Sequence, residues 1–135
     1  MLSLEELNKL FDIDYFATRL LGAKIVEVRE NYAKCTLEIN ENHKNAKNVV
    51  MGGAIFTLAD FAFAVAANQN EDYFTVSTSA NILYLRPAVG KYLTAETNLL
   101  KDGKMVCFYE ISVYDDNNIL IAKVNMTGTH VVKEK

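Results

Sequence analysis

Apolar residues recur along this chain in three different rhythms, and each rhythm predicts a different element. In "SLEELNKLF" Leu4, Leu7 and Phe11 return at helical spacing. Ser3, with Glu6 three residues on, supplies a capping-box start, so a short helix is expected there. Gly22 breaks the chain before "AKIVEVRE", a first strand. "YAKCTLEIN" then alternates: Ala33, Cys35, Leu37 and Ile39 face one way, and Lys34, Thr36, Glu38 and Asn40 the other. That is the pattern of a half-buried strand. A polar loop, "ENHKNAKNVVM", follows over residues 41–51.

The third rhythm is a near absence of polar residues. Between Ala54 and Ala67 only Thr57 and Asp60 are not hydrophobic. The Ala, Leu and Phe content favours a helix of about 16 residues that opens at the Gly52–Gly53 pair. Everything after residue 73 reads as strand: "FTVSTSANILYLRPA" up to Pro87, "KYLTAETNLL" into the hairpin signal "KDGK", "MVCFYEISVY" into the turn "DDNN", and "ILIAKVNMTGTHVV". The order is a short helix, two strands, one long apolar helix, and three or more antiparallel strands. A helix apolar nearly all round must be covered on most sides. An antiparallel sheet wrapped around it achieves this, which predicts an α+β fold as a single domain over residues 1–135.

Composition narrows the partners. Half of the 135 residues are hydrophobic and 23% are charged, an ordinary globular balance. The net charge of −3 offers no face-wide basic excess, so no nucleic-acid partner is expected. The apolar run at 54–67 is shorter than the roughly 20 residues a bilayer span needs, and it carries a charge. The N-terminus lacks a basic stretch followed by an apolar one, so no signal peptide, no membrane association and a cytoplasmic location are expected. Cys35 and Cys107 have no metal-type spacing and read as buried, reduced thiols. His43 and His130 read as surface or interface residues without partners, and no metal site or Cys–His pair is predicted. Neither a P-loop nor a dinucleotide fingerprint is present.

The order of elements, together with "NAKNVVMGGAIFTLAD" and "NILYLRPA", resembles the hotdog-fold thioesterases of the phenylacetic-acid-degradation and 4-hydroxybenzoyl-CoA type over residues 20–130. That family's signature is an Asn, a loop, His-Gly-Gly, and an acidic residue seven after the second Gly. Asn45, Gly52, Gly53 and Asp60 fall on it. Met51 stands where the family usually has His, and Asn48 replaces a loop glycine. The resemblance implies a hotdog fold and hydrolysis of an acyl-CoA to free acid and coenzyme A, with no metal or cofactor. It also implies a homodimer, or a tetramer built from dimers, with the site at the dimer interface. Asn45 would place the water or the carboxylate, and Ser77, in preference to Thr78, would support the acid. Tyr84, Leu85, Arg86 and Pro87, with Lys101, Gly103 and Lys104, would line the coenzyme A channel. Arg86, Lys101 and Lys104 would meet phosphates there, and Lys91 more weakly. Met51, Phe56 and Phe61 would line the acyl pocket, with Phe63 a further candidate. The alternative is a dimer that binds or senses acyl-CoA without turnover, which the loss of the His at position 51 favours. A hydratase of this fold is set aside, because the helix pairs no His with its acid.

Elementary chemistry supports the same residues. An ionised carboxylate among apolar neighbours is costly unless paired, hydrogen-bonded or facing a cleft. On a helix Gly53, Thr57 and Asp60 fall at i, i+4 and i+7 and share one stripe. The first N–H groups of a helix lack partners and carry the positive end of its dipole, which suits a carbonyl oxygen as it becomes an oxyanion. Asp60 then has two routes open to it: general base for water, or direct attack on the thioester. The plainer reading is a helical Asp satisfied by a neighbouring hydroxyl, with Thr57 bonded to its own backbone. Seven residues span roughly 10 Å of helix axis, so one chain does not place both groups on one carbonyl. Two such helices packed antiparallel about a two-fold axis would bring Gly53 of one near Asp60 of the other.

Overall fold

The computed structural model describes residues 1–133. Helix α1 (Leu4–Phe11) is closed at its start by the expected reciprocal cap. Ser3 Oγ accepts from the Glu6 N–H at 3.1 Å, and Glu6 Oε1 accepts from the Ser3 N–H at 3.2 Å. A π-helix, Phe16–Leu21, which no periodicity announced, follows and ends at Gly22 with φ of 88°. That left-handed backbone is what glycine tolerates without strain.

Six strands form one antiparallel sheet: β1 (Lys24–Arg29), β2 (Tyr32–Glu38), β3 (Tyr73–Tyr84), β4 (Tyr92–Asp102), β5 (Val106–Asp115) and β6 (Leu120–Val132). Their order is β1-β2-β4-β5-β6-β3. The alternation read in β2 is realised, with Ala33, Cys35 and Leu37 fully buried. Four strands follow the long helix. Helix α2 (Gly52–Ala67) lies against the inner face of the sheet and buries Leu58, Ala59, Ala62 and Val65 completely. Gly53, Phe56, Thr57, Asp60 and Ala64 stay partly open, so the one uncovered stripe of α2 is the stripe that carries its carboxylate.

Strand β3 is an edge. It pairs with β6 alone, and its register slips by one residue between Ser77 and Ser79. The slip is a β-bulge, and it exchanges the two faces of the strand. Thr75 and Ser77 lie opposite the inward residues His130 and Gly128 before it; Ala80, Ile82 and Tyr84 lie opposite inward Met126, Val124 and Ala122 after it. Tyr84 is thereby turned toward the start of α2. Among the described residues no helix is long and apolar enough to cross a membrane.

Candidate active site

The loop that launches α2 is held from both sides. The Met51 N–H donates to the His43 carbonyl at 2.8 Å, and the Val50 N–H donates to the Ala88 carbonyl at 3.1 Å. Met51 is the N-cap, yet its side chain makes no capping hydrogen bond. Its carbonyl accepts from Ala54 and Ile55, whereas the N–H groups of Gly52 and Gly53 have no acceptor among the described residues. Gly53 is exposed. A Cβ placed on it would lie 2.9 Å from the Met51 methyl, so the methionine side chain packs beside the Gly53 Cα. The helix tip thus presents two amides without acceptors beside an apolar methionine side chain.

Asp60 sits two turns further along the same stripe, half-buried. The Thr57 hydroxyl donates to the Gly53 carbonyl at 2.7 Å, the plain backbone bond, and does not satisfy Asp60. No donor among the described residues reaches the Asp60 carboxylate, and no fully buried side-chain oxygen there lacks a partner, so its oxygens open to solvent. Burial, and after it the Asp14 carboxylate, hold the Asp60 carboxyl above the usual aspartate range. A half-desolvated, unpartnered carboxylate is a stronger base than an exposed one.

Asn45 works first as a loop staple: its Oδ1 accepts from the Lys47 N–H at 2.9 Å and the Val49 N–H at 3.4 Å. Its amide nitrogen makes no hydrogen bond among the described residues. Ser77 faces the helix side of β3 at the bulge but makes no hydrogen bond to Asp60, and Thr78 donates to the Thr127 carbonyl at 3.3 Å. Phe61 is buried against Phe11 in an edge-on pair at 5.8 Å, and Phe63 against Tyr109 at 5.4 Å. In this chain both are packing residues. Phe56 and Met51, the latter 55% exposed, are the acyl-pocket candidates left on the open stripe.

The coenzyme A candidates divide between two ends of the molecule. Tyr84, Arg86 and Pro87 join Val50, Gly52 and Ile55 around a cleft of about 380 Å³ at the helix tip. There the Tyr84 hydroxyl donates to the Gly52 carbonyl at 3.0 Å, and Arg86 Nη1 donates to the Leu120 carbonyl at 2.8 Å. Leu85 hangs from β6 through its N–H, which donates to the Ile121 carbonyl at 2.8 Å. Lys101, Gly103 and Lys104 form the β4–β5 hairpin, beside the far end of β6. The six residue steps along β6 from Ala122 to Gly128 alone span roughly 20 Å. One chain therefore cannot close both segments on one nucleotide.

Residues 47–122 match the thioesterase superfamily. The chain belongs to that family. It is 38% identical over 104 residues to a putative esterase of Archaeoglobus fulgidus, covering 76% of this chain and 67% of that one. It is 30% identical over 105 residues to the acyl-coenzyme A thioesterase PaaI of Escherichia coli, covering 77% and 74%. The solved PaaI structure superposes with a TM-score of 0.82 over 96% of each chain. A thioesterase of Haemophilus influenzae, 22% identical, superposes at 0.88 over 98% of this chain and 92% of its own. The architecture is thus the hotdog fold that the motifs implied.

In this thioesterase-family chain two readings made from spacing need correction. His43 is buried, not at the surface: its Nδ1 accepts from the Asn40 N–H at 3.1 Å and its Nε2 donates to the Leu21 carbonyl at 2.7 Å. Its own carbonyl then holds Met51, so it positions the loop before the helix tip. His130 is not partnerless. Its Nδ1 lies 2.7 Å from the Thr75 hydroxyl and its Nε2 2.7 Å from Asp102 Oδ1, with Cys107 beside them. Sheet register, not sequence spacing, assembles that group, and no local motif could have announced it. Both thiols are buried and unpaired as expected, and burial pushes the Cys35 thiol up to about 12.

Proposed function

We propose that this chain is an acyl-CoA thioesterase working as a homodimer, with each site built from both protomers. The observation that carries the proposal is the open stripe of α2, where an unpartnered, half-desolvated Asp60 and the free Gly53 amide face the same way about two turns apart. An antiparallel pairing of two α2 helices directs both groups at one thioester. It also brings the Tyr84–Pro87 cleft of one protomer near the Lys101–Lys104 hairpin of the other, so the two halves of the coenzyme A channel meet. The unpaired edge of the twelve-residue strand β3 supports such pairing, because a long bare edge readily recruits another chain.

The thioester carbonyl oxygen accepts from the Gly53 N–H at the positive helix tip. Asp60 of the partner takes a proton from water as the water oxygen bonds to the carbonyl carbon. The tetrahedral oxyanion is held by the same amide. Its collapse breaks the C–S bond and expels the coenzyme A thiolate, a good leaving group that needs no strong acid. The proton held by Asp60 returns to solvent or to the thiolate. Asn45, through its free amide nitrogen, orients the water, and Ser77 supports the carboxylate across the interface.

The test is a panel of aliphatic and aromatic acyl-CoAs assayed with wild type and Asp60→Asn. The variant is expected to bind coenzyme A esters and to lose turnover by about 100- to 10,000-fold. Equal activity in both proteins would remove Asp60 from the chemistry. Tight binding without hydrolysis by the wild type would establish the sensing alternative that Met51 favours.

A further inference from the structure

A second cluster of chemically competent side chains lies at the end of the sheet remote from Gly53. Asp102 closes β4, Cys107 is the second residue of β5 and His130 lies near the end of β6. A carboxylate oxygen, a thiol sulfur and a ring nitrogen from these three residues all fall within 4.8 Å of one another. Cys107 is fully buried and the His130 side chain is only 8% exposed. The proposed hydrolysis uses none of the three.

We propose that Asp102, Cys107 and His130 bind a divalent transition-metal ion of the zinc class, which ties the β4–β5 hairpin to β6. A sulfur, a nitrogen and an oxygen donor suit zinc, whereas magnesium and calcium call for oxygen ligands throughout. Tetrahedral zinc places its ligand atoms roughly 3.3–3.8 Å apart, so the three donors need to move by about 1 Å or less.

The surroundings of the cluster are those of a metal site. In the metal-free chain His130 Nε2 donates to Asp102 Oδ1, and Nδ1, 2.7 Å from the Thr75 hydroxyl, accepts from it. The same Thr75 oxygen can accept from Nδ1 once the ring takes the tautomer that leaves the Nε2 lone pair for the ion. The Tyr73 ring, with its centroid 4.5 Å from that of His130, holds the plane of the imidazole. Gly128 makes room for the sulfur: a Cβ there would lie 3.0 Å from Cys107 Sγ, 2.9 Å from Thr75 Cγ2 and 2.7 Å from the Phe63 ring. Asp102 and Tyr73 also border a cavity of about 640 Å³ that Glu6, Glu30, Glu71 and Asp72 share. Among the described residues no Lys or Arg side chain lines it. Against these carboxylates stands the Met1 α-ammonium, so the net field of the lining is negative and draws cations toward the cluster. On binding, the ion takes the place of the hydrogen between Nε2 and Oδ1, the ring carries its proton on Nδ1 instead, where Thr75 Oγ1 accepts it, and the thiol proton is released to solvent. A water from the cavity completes four-coordination.

The test uses the full chain, stripped with a chelator and titrated with cobalt(II), then with zinc(II). One cobalt per chain is expected, with thiolate-to-metal charge-transfer absorption, tetrahedral d–d bands, and displacement of both by zinc with a rise in Tm. Cys107→Ser should abolish the charge-transfer band. Cys107→Ser and His130→Gln should each weaken binding by on the order of 100-fold or more, since even outer-shell losses cost 10- to 100-fold. Cys35→Ser should bind as wild type does. Asp102→Asn keeps a hydrogen-bond partner for His130 and serves if the other variants fail to fold; it should weaken cobalt binding too. A spectrum without the thiolate band, a stoichiometry well below one, or undiminished binding by the folded ligand variants would overturn the site.

Discussion

The two ends of helix α2 are built on opposite principles. At its C-terminal end the side chains of Asn68 and Gln69 are tied down on both their donor and acceptor atoms. Asn68 Nδ2 donates to the carbonyls of Ala64 and Thr75 at 2.8 and 3.1 Å, and its Oδ1 accepts from the Thr75 N–H at 2.7 Å. Gln69, buried, donates to the carbonyls of Arg29 and Tyr32 at 2.9 and 3.2 Å and accepts from the Asn31 N–H at 3.1 Å. At the N-terminal end the cap is a methionine without a hydrogen bond, and two glycine amides are left without acceptors. A Ser, Thr, Asp or Asn at that cap would contribute about 1 kcal/mol. The end that forgoes this is the end to which the proposed mechanism assigns the substrate oxygen, while the satisfied end anchors the turn between β1 and β2 and the start of β3.

The sharpest way to break this contrast is to give the bare end a cap. In Met51→Asp the new carboxylate accepts from the Gly53 N–H, the donor assigned to the oxyanion. Chemical denaturation should show a gain of about 1 kcal/mol, while kcat falls by about 100- to 1,000-fold. A capped variant of unchanged activity would take the amide out of the mechanism. The converse experiment removes a staple from the satisfied end. Gln69→Ala strands the Asn31 N–H and two carbonyls and should cost about 1–3 kcal/mol in urea unfolding, with kcat per folded molecule unchanged.

The smallest effect is a pH dependence. The Asp60 carboxyl is raised, so the folded chain binds that proton more tightly than the unfolded one. Its contribution to stability is full below the unfolded value and is lost as pH rises through the folded one. Asp60→Asn stays neutral throughout, so the stability of wild type relative to this variant should fall as pH rises across that window. Wild-type kcat/KM should rise across the same window as the carboxylate forms. Parallel stability profiles for the two proteins would show that Asp60 is not held in the strained setting described.

Much of the scaffold was legible because it rests on local rules: the Ser3–Glu6 cap, the alternation through Cys35, and the apolar run broken only by Thr57 and Asp60. The pairing of Gly53 with Asp60 on one stripe was legible for the same reason, since helical spacing fixes it. What was hidden depends on sheet register. His130 meets Thr75 and Asp102 only after β3, β4 and β5 are aligned, and His43 meets a carbonyl 22 residues away in the chain. Tyr84 reaches Gly52 because one bulge at residues 77–79 exchanges the faces of β3, and no composition marks that residue. Phe61 looked equivalent to Phe56 in sequence. Contact with Phe11 of α1 sends it into the core.

The central claim is that each site takes its helix tip from one protomer and its carboxylate from the other. Refolding Met51→Asp together with Asp60→Asn tests it directly. In a mixed dimer one of the two sites joins an intact tip to an intact carboxylate, so two nearly inactive proteins should together recover about a quarter of wild-type turnover per chain. A mixture that stays at the summed activity of its parents, with mixed dimers shown to have formed, would contradict a shared site.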